Sequence, residues 1–282
     1  MLGIIFAIFS SLTQGVKKLL HRSVLANEDS LSYAFVYQTL SALLLVPFLF
    51  FDFKIPNVMS WHILLVLFSA ILWTLIAYFG FKSYSRLDVS IKTIFGESKV
   101  LFTFILSIII LREVVTLTKF LGVFLVFVGI LIISHKKGEK WGHLKDKGVI
   151  YSLIASFLTA VVVIVDKYAQ TYYSTTTYSF LVYLLPAIFF IPFVISKGKE
   201  VKSIMKNSFW QILVAAVLST VSYYLMLKAF TLADASIVYT ITRASILITI
   251  IGGIIFLKEK EDMLKRLLVG VIILAGVLLL IF

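Results

Sequence analysis

DVSIKTIFGESKVLFTFILSIII, residues 88–110, has the length and hydrophobicity of a helix that crosses a membrane. A crossing of the hydrocarbon core, about 30 Å, needs roughly 20 mainly apolar residues. The stretch nevertheless contains Lys92, Glu97 and Lys99. Glu97 stands about nine residues in, which is about 14 Å along a helix and close to the bilayer centre. Charged groups at that depth are costly and usually face a cavity or a partner, so Glu97 is a candidate functional residue.

The composition extends this interpretation to the whole chain. Of 282 residues, 61% are hydrophobic and 14% charged, against about 25% charged in soluble domains. The mean hydropathy is +1.05. These values predict an all-α integral membrane protein with little room for a soluble domain. Ten spans are predicted, at 2–20, 31–51, 61–82, 88–110, 118–134, 148–168, 177–196, 209–230, 234–257 and 264–282.

Several functional classes are disfavoured by the composition. The net charge of +12 comes from short Lys and Arg clusters between apolar runs, a pattern typical of membrane topology and not of nucleic-acid binding. The chain has no cysteine, and its four histidines are far apart and near the ends of apolar runs. No metal or other cofactor is therefore predicted, and the histidines are interpreted as interfacial.

The first five spans resemble the last five at a nearly constant offset, which indicates an internal duplication. YAF at 33 and YSF at 178 lie 145 apart, while RLDVS at 86 and LADAS at 232, and LRE at 111 and LKE at 257, lie 146 apart. The predicted organisation is a first repeat at 1–134, a basic loop at 135–147 and a second repeat at 148–282. Because five spans are an odd number, the second repeat must be inverted in the membrane, an architecture typical of transporters.

These motifs resemble the ten-helix EamA-like permeases of the drug/metabolite transporter superfamily. The resemblance covers the whole chain and rests on the basic first-helix ends, VKK at 16 and VDK at 165, the fourth-helix openings and the LRE and LKE segments. It implies a secondary carrier, often an exporter of amino acids or other small metabolites, with a substrate site in a central cavity. Family members usually have a proline in the middle of the fourth and ninth helices, and this chain has none there.

The duplication places Arg243 at the position equivalent to Glu97, also about nine residues into its span. Residues three or four apart share a helical face, so each charge has polar neighbours on its own face. The two charges could form a structural or gating ion pair, or receive the ammonium and carboxylate of a zwitterionic substrate. The candidate substrate-binding or gating residues are Glu97, Arg243, Lys99, Thr93, Tyr239, Ser90, Ser236 and Gln14.

Other residues of the spans are interpreted mainly as interfacial or packing residues. Lys92 is close enough to its helix start to extend to the interface, and Lys17 and Asp166 are interpreted as interfacial anchors. Lys99 could line the cavity or pair with an acid after local distortion. Gly252 and Gly253 predict close packing of the ninth span.

Orientation has two conflicting indications. Of the 26 Lys and Arg residues, 18 fall on one side of the predicted topology and five on the other, the side shared by both termini. The positive-inside rule therefore predicts both termini outside the cell. The family resemblance implies both termini inside.

The leading functional hypothesis is a transporter of small polar metabolites or drugs, acting by alternating access in the plasma membrane as a monomer or homodimer. Its predicted partners are a small-molecule substrate, the lipid bilayer and a proton or ion gradient, with no nucleic acid. One alternative is a flippase or assembly subunit for a lipid-linked sugar. The other, an integral-membrane enzyme, lacks a recognisable catalytic cluster in the sequence.

Overall fold

The computed structural model describes residues 2–51, 53, 60–111, 115–135, 142–169, 172–232 and 241–280. Within these ranges every regular element is helical and no strand occurs, which confirms the predicted all-α class. The α-helices are α1 Leu2–Leu25, α2 Ser30–Leu49, α3 Ser60–Arg86, α4 Val89–Gly96, α5 Ser98–Leu111, α6 Leu117–Ser134, α7 Lys147–Ala169, α8 Thr175–Val194, α9 Gly198–Asn207, α10 Phe209–Leu232, α11 Ser245–Phe256 and α12 Met263–Leu279.

Many of these helices have the dimensions of membrane spans. In the described part of the chain, six helical stretches are long and apolar enough to cross a membrane, and two shorter apolar helices accompany them. Large apolar side chains are exposed on the outer surface, among them Phe50 and Leu264. A soluble monomer rarely exposes apolar surface on this scale, so the outer surface is suited to lipid.

Two predicted segments differ from the structure. The span 88–110 is divided at Glu97 into α4 and α5, although it contains no proline. The predicted connection 197–208 is largely the helix α9, in which Ile204 is buried while Lys199 and Lys202 are exposed. A short helix with one apolar and one basic face is suited to lie along a membrane surface, which a search for long apolar runs does not detect.

Helix packing is symmetric between the two halves of the chain. α1 packs along α10 and α7 packs along α3, so the first helix of each half contacts the third of the other. α2 packs against α8, and α6 against α12, which are pairs of equivalent helices. α4 also contacts α11, which corresponds to α5 at the offset of 146. This exchange pattern is the one expected for two halves that are related by a pseudo-two-fold axis.

Glycines allow the closest of these contacts. A Cβ on Gly122 of α6 would lie 2.6 Å from the carbonyl oxygen of Gly276 in α12, and the reverse holds at Gly276. A Cβ on Gly253 would lie 2.8 Å from a side-chain atom of Val89, and one on Gly252 would overlap Leu19. The predicted close packing at Gly252 and Gly253 is confirmed, because small residues let helix backbones approach.

Candidate functional site

The site is built on the interruption between α4 and α5. At Glu97 the backbone changes to bonds between residues three apart: Glu97 N–H donates to the Ile94 carbonyl at 3.1 Å, and Val100 N–H donates to the Glu97 carbonyl at 2.9 Å. An interrupted helix inside a bilayer needs new partners for its carbonyl groups. Ser156 of α7 supplies one, donating from its hydroxyl to the Gly96 carbonyl at 3.1 Å. The break is therefore held by a side chain of the other half.

Glu97 is the buried carboxylate at this break, with 2% of its surface exposed. Lys99 Nζ lies 3.2 Å from its Oε1, and Arg243 Nη1 lies 3.6 Å from its Oε2. The first contact is a hydrogen-bonded ion pair, whereas the second is longer than a hydrogen bond. The structure thus brings together Glu97, Lys99 and Arg243, and the helix break is the distortion that lets Lys99 reach a neighbour two residues away.

Arg243 also stands at a break. Ala244 N–H donates to the Ile241 carbonyl at 3.1 Å, and α11 begins only at Ser245. The two halves therefore interrupt their fourth helices at equivalent places, next to opposite charges. Discontinuous helices near the middle of a bundle of inverted repeats are a common way to build a transporter binding site.

Two lysines of α1 approach the same place. Lys18 of α1 is within Coulombic range of Glu97, Lys92, Lys99 and Arg243. Lys17 donates to the Ser219 hydroxyl at 3.3 Å. Both lysines are half-buried, as is Lys92. The site is thus strongly cationic around its carboxylate.

Two of the anchoring interpretations are wrong. Lys92 does not extend to the interface, because its Nζ lies 4.4 Å from the centre of the Tyr84 ring, where a cation–π contact holds it inside the bundle. Lys17 binds Ser219 of the opposite half and is not an interfacial anchor. In both cases the position near a helix end suggested the interface, and tertiary contacts supplied a partner that no local pattern contains.

An aromatic layer lies one helical turn beyond Lys17 along α1. His21 shares a hydrogen bond of 2.6 Å with the Tyr33 hydroxyl and packs against three further rings, those of Tyr37, Phe81 and Tyr84. All five residues are buried, with at most 7% of their surface exposed. The interfacial interpretation of His21 is therefore wrong, because this aromatic layer encloses its ring.

Asp166 of α7 forms a second polar cluster. Its carboxylate accepts hydrogen bonds from Ser69 at 2.8 Å, from Trp73 Nε1 at 3.2 Å and from the Tyr178 hydroxyl. These three donors are neutral and come from α3 and α8. Asp166 is consequently part of an internal network, which corrects its interpretation as an interfacial anchor.

Ser90 has a structural position at the start of α4. Its backbone N–H and hydroxyl both donate to Glu259 Oε2, and Val89 N–H donates to Glu259 Oε1 at 2.5 Å. Arg266 completes the cluster, with Nη1 3.3 Å from Glu259 Oε2 and Nη2 2.8 Å from Asp88 Oδ2. The LKE segment at 257 thus supplies the carboxylate that caps a helix of the other half.

The remaining predicted site residues have varied positions. Thr93, one turn before Glu97, is 3% exposed and its hydroxyl makes no hydrogen bond to a described residue. Gln14 donates to the Ser10 hydroxyl at 3.4 Å within α1. Tyr239 and Ser236 lie outside the described residues. Lys18 shares a polar face of the first span with Gln14 in the sequence. The contributions of Lys17, Ser156 and Ser219 were not predicted, although the VKK segment was a visible signal for Lys17.

Comparisons with known proteins agree with this architecture. The sequence profile of the EamA-like transporter family matches residues 1–135 and 146–282. One solved crystal structure of a protein superposes with a TM-score of 0.66 at 9% identity, covering 98% of this chain and 95% of that chain, which shows a shared fold. No functionally curated protein matches the chain. With both halves matched, the chain belongs to the EamA-like transporter family, within the drug/metabolite transporter superfamily.

Proposed function

We propose that the protein is a secondary transporter of small polar metabolites or drugs, which works as an exporter in the plasma membrane by alternating access. The observation that carries the proposal is the pairing of Glu97 and Arg243, 3.6 Å apart, at the equivalent breaks of the two halves. An ion pair between the two halves can stabilise one conformation of the transporter. The pair can then break when the halves move to the alternative conformation.

The proposed organisation has ten spans in two repeats, 1–134 and 148–282, joined by a basic loop. In this arrangement the aromatic layer around His21 closes one end of the path and the Asp166 cluster lies at the other. The family's members are transporters, and catalysis is not part of the proposal. A gradient of protons or ions is the candidate driving force.

The lipid-linked-sugar alternative would need a lateral opening that can hold a polar headgroup. A groove of about 290 Å³ does lie between α2 and α8 on the outer surface. Its lining is apolar except for Thr39, whose hydroxyl already donates to the Phe35 carbonyl at 2.8 Å. This groove is suited to a lipid chain but has no group for a headgroup, so the central transporter site is favoured.

The test is an efflux screen followed by reconstitution. Cells with and without the protein are loaded with candidate metabolites, and each compound that leaves faster is then assayed by counterflow in proteoliposomes. We expect at least one small polar compound to exchange, with empty liposomes as the control. Movement of a lipid-linked sugar without exchange of any soluble compound would overturn the proposal in favour of the flippase.

A further inference from the structure

The charges at the helix breaks do not balance. Glu97 already has two cationic partners, Lys99 at 3.2 Å and Arg243 at 3.6 Å. Lys17, Lys18 and Lys92 add three more cations, and none of them forms an ion pair with a carboxylate of the described residues. The site therefore has more positive charge than its carboxylate can neutralise.

Two of these three lysines, Lys17 and Lys92, are held by neutral groups. Lys17 binds the Ser219 hydroxyl at 3.3 Å, which in turn lies 3.0 Å from the Tyr183 hydroxyl. Lys92 lies over the Tyr84 ring. Hydroxyl groups and ring faces orient an ammonium group without cancelling its charge, so the cations stay available to a ligand.

The position of the lysines is also suited to a ligand. They are half-buried, and Lys18 is within Coulombic range of Lys92, Lys99 and Arg243, so like charges are concentrated in the bundle. Such an arrangement is costly inside a membrane unless an anion compensates it. Thr93 adds a buried hydroxyl with no hydrogen bond to a described residue, one turn from Glu97.

We propose that this site binds a soluble organic anion with at least two negative charges, such as a dicarboxylate or a phosphate ester, between α1, α4 and the Glu97 break. The inference rests on the proposed transport function and specifies its substrate class. A zwitterionic amino acid fits less well, because its ammonium group would need a carboxylate and Glu97 already has two cations beside it. A doubly charged anion instead pairs with Lys17, Lys18 and Lys92 directly.

Ligand binding is measured by thermal unfolding of the full-length protein in detergent. The probes are succinate and glycerol phosphate as dianions, threonine as a zwitterion and lysine as a cation, with potassium chloride at matched ionic strength. A ligand that binds only the folded state raises the unfolding midpoint in a concentration-dependent way. We expect at least one of the two dianions to raise the unfolding midpoint. Stabilisation by threonine or lysine with none by either dianion would overturn the inference.

Two substitutions locate the effect. Lys18→Gln should weaken dianion binding by about tenfold, since a charge-assisted contact is lost. The matched control is Lys202→Gln, which makes the same charge change on the exposed face of α9 and should leave binding unchanged. Without ligand, Lys18→Gln should unfold at a higher temperature than the native protein, because repulsion among the cations is relieved. Equal effects of the two substitutions would contradict the site.

Further measurements distinguish a failure of the proposed substrate class from a failure of the proposed transport function. Counterflow of threonine without counterflow of any dianion would leave the transporter standing and overturn the anion site. Dianion binding that is lost in Lys18→Gln, but without counterflow of any compound, would support the site and overturn transport. Stabilisation by phosphatidylglycerol in mixed micelles, with none by soluble dianions, would assign the cations to a lipid headgroup and overturn the inference.

Discussion

At the scale of single residues, the chemistry of the site depends on the interaction of the Glu97 carboxylate with two cations, Lys99 and Arg243. Lys99 and Arg243 retain 25% and 20% side-chain exposure, while Glu97 retains 2%. The carboxylate is therefore the most deeply buried of the three, and it separates two cations that would otherwise repel each other. Removing a buried partner is costly mainly because of the charges that it leaves behind.

Neutralising the acid should consequently cost more than neutralising either base. Glu97→Gln is expected to lower the free energy of unfolding by roughly 2 kcal/mol, a figure reduced for the partial exposure of the two cations. Arg243→Gln should cost less than half of that, because Lys99 still pairs with Glu97. Thermal unfolding of the two variants and of the double variant, analysed as a cycle, measures the difference. A larger loss in Arg243→Gln than in Glu97→Gln would contradict this geometry.

Asp29, in the turn between α1 and α2, gives a pH-dependent prediction. Burial raises its pKa, but hydrogen bonds from Lys197 at 2.7 Å and from Ser32 outweigh burial and leave the pKa below its ordinary value. A carboxylate with a lowered pKa in the folded state stabilises the fold above its unfolded pKa of about 3.9. That stabilisation is lost as the pH falls through the lower, folded value.

We therefore expect the unfolding temperature of the native protein to fall as the pH is lowered from about 5 toward 3. Asp29→Asn keeps an acceptable residue at the start of α2 and removes the titrating group, so its profile should be flatter over that range, with a cost of about 1 kcal/mol or less at pH 7. Unfolding followed across a pH series tests this. Parallel profiles for the two proteins would show that Asp29 does not contribute.

At the scale of helices, polar side chains compensate for the interruption at Glu97. The carbonyl groups of α4 near its end accept from Ser98 at 2.5 Å and from Ser156 at 3.1 Å. Hydropathy detects the span but not the break, because serine is common in membrane helices and its partner is chosen by packing. Hydropathy also does not reveal that Glu259, in the distant LKE segment, caps the start of α4.

Helix contact in the α6–α12 pair can be tested with glycine substitutions. A Cβ on Gly122 would lie 2.6 Å from the Gly276 carbonyl, so Gly122→Ala should cost about 1–3 kcal/mol of stability as the helices are forced apart. Gly80→Ala is the matched control, since nothing lies within 4 Å of a Cβ there and alanine favours the helix. In thermal unfolding, Gly122→Ala should have a lower unfolding temperature than the native protein. Gly80→Ala should have an equal or higher one.

At the scale of the whole molecule, basic residues at helix ends bind groups at the ends of other helices. Arg22 at the end of α1 donates to the Tyr84 carbonyl near the end of α3 at 3.0 Å. Lys197, between α8 and α9, pairs with Asp29 at the start of α2 at 2.7 Å. Lys265 of α12 donates to the His135 carbonyl after α6. Three basic residues that the sequence assigns to one side of the membrane therefore connect the ends of different helices.

The positive-inside rule predicts that the side with most of the Lys and Arg residues is cytoplasmic and that both termini are outside. A phosphatase reporter, which works only outside the cytoplasm, should then be active when it is fused after Phe282. A reporter that works only in the cytoplasm should be inactive at the same position. The reverse pattern would contradict the charge prediction and agree with the orientation that the family resemblance implies. Fusions within the basic 135–147 loop serve as the opposite-side control.

The sequence by itself determined the helical membrane class, the duplicated order of the spans and the equivalence of Glu97 with Arg243. These follow from hydropathy and a constant offset, which depend only on position along the chain. Only the tertiary structure decided that Glu97 has two cationic partners, that Lys17, Lys18 and Lys92 lie near them, and that Ser90 belongs to a helix cap. Those contacts join residues far apart in the chain, and a buried charge or carbonyl takes whichever partner the packing of the two halves brings within reach.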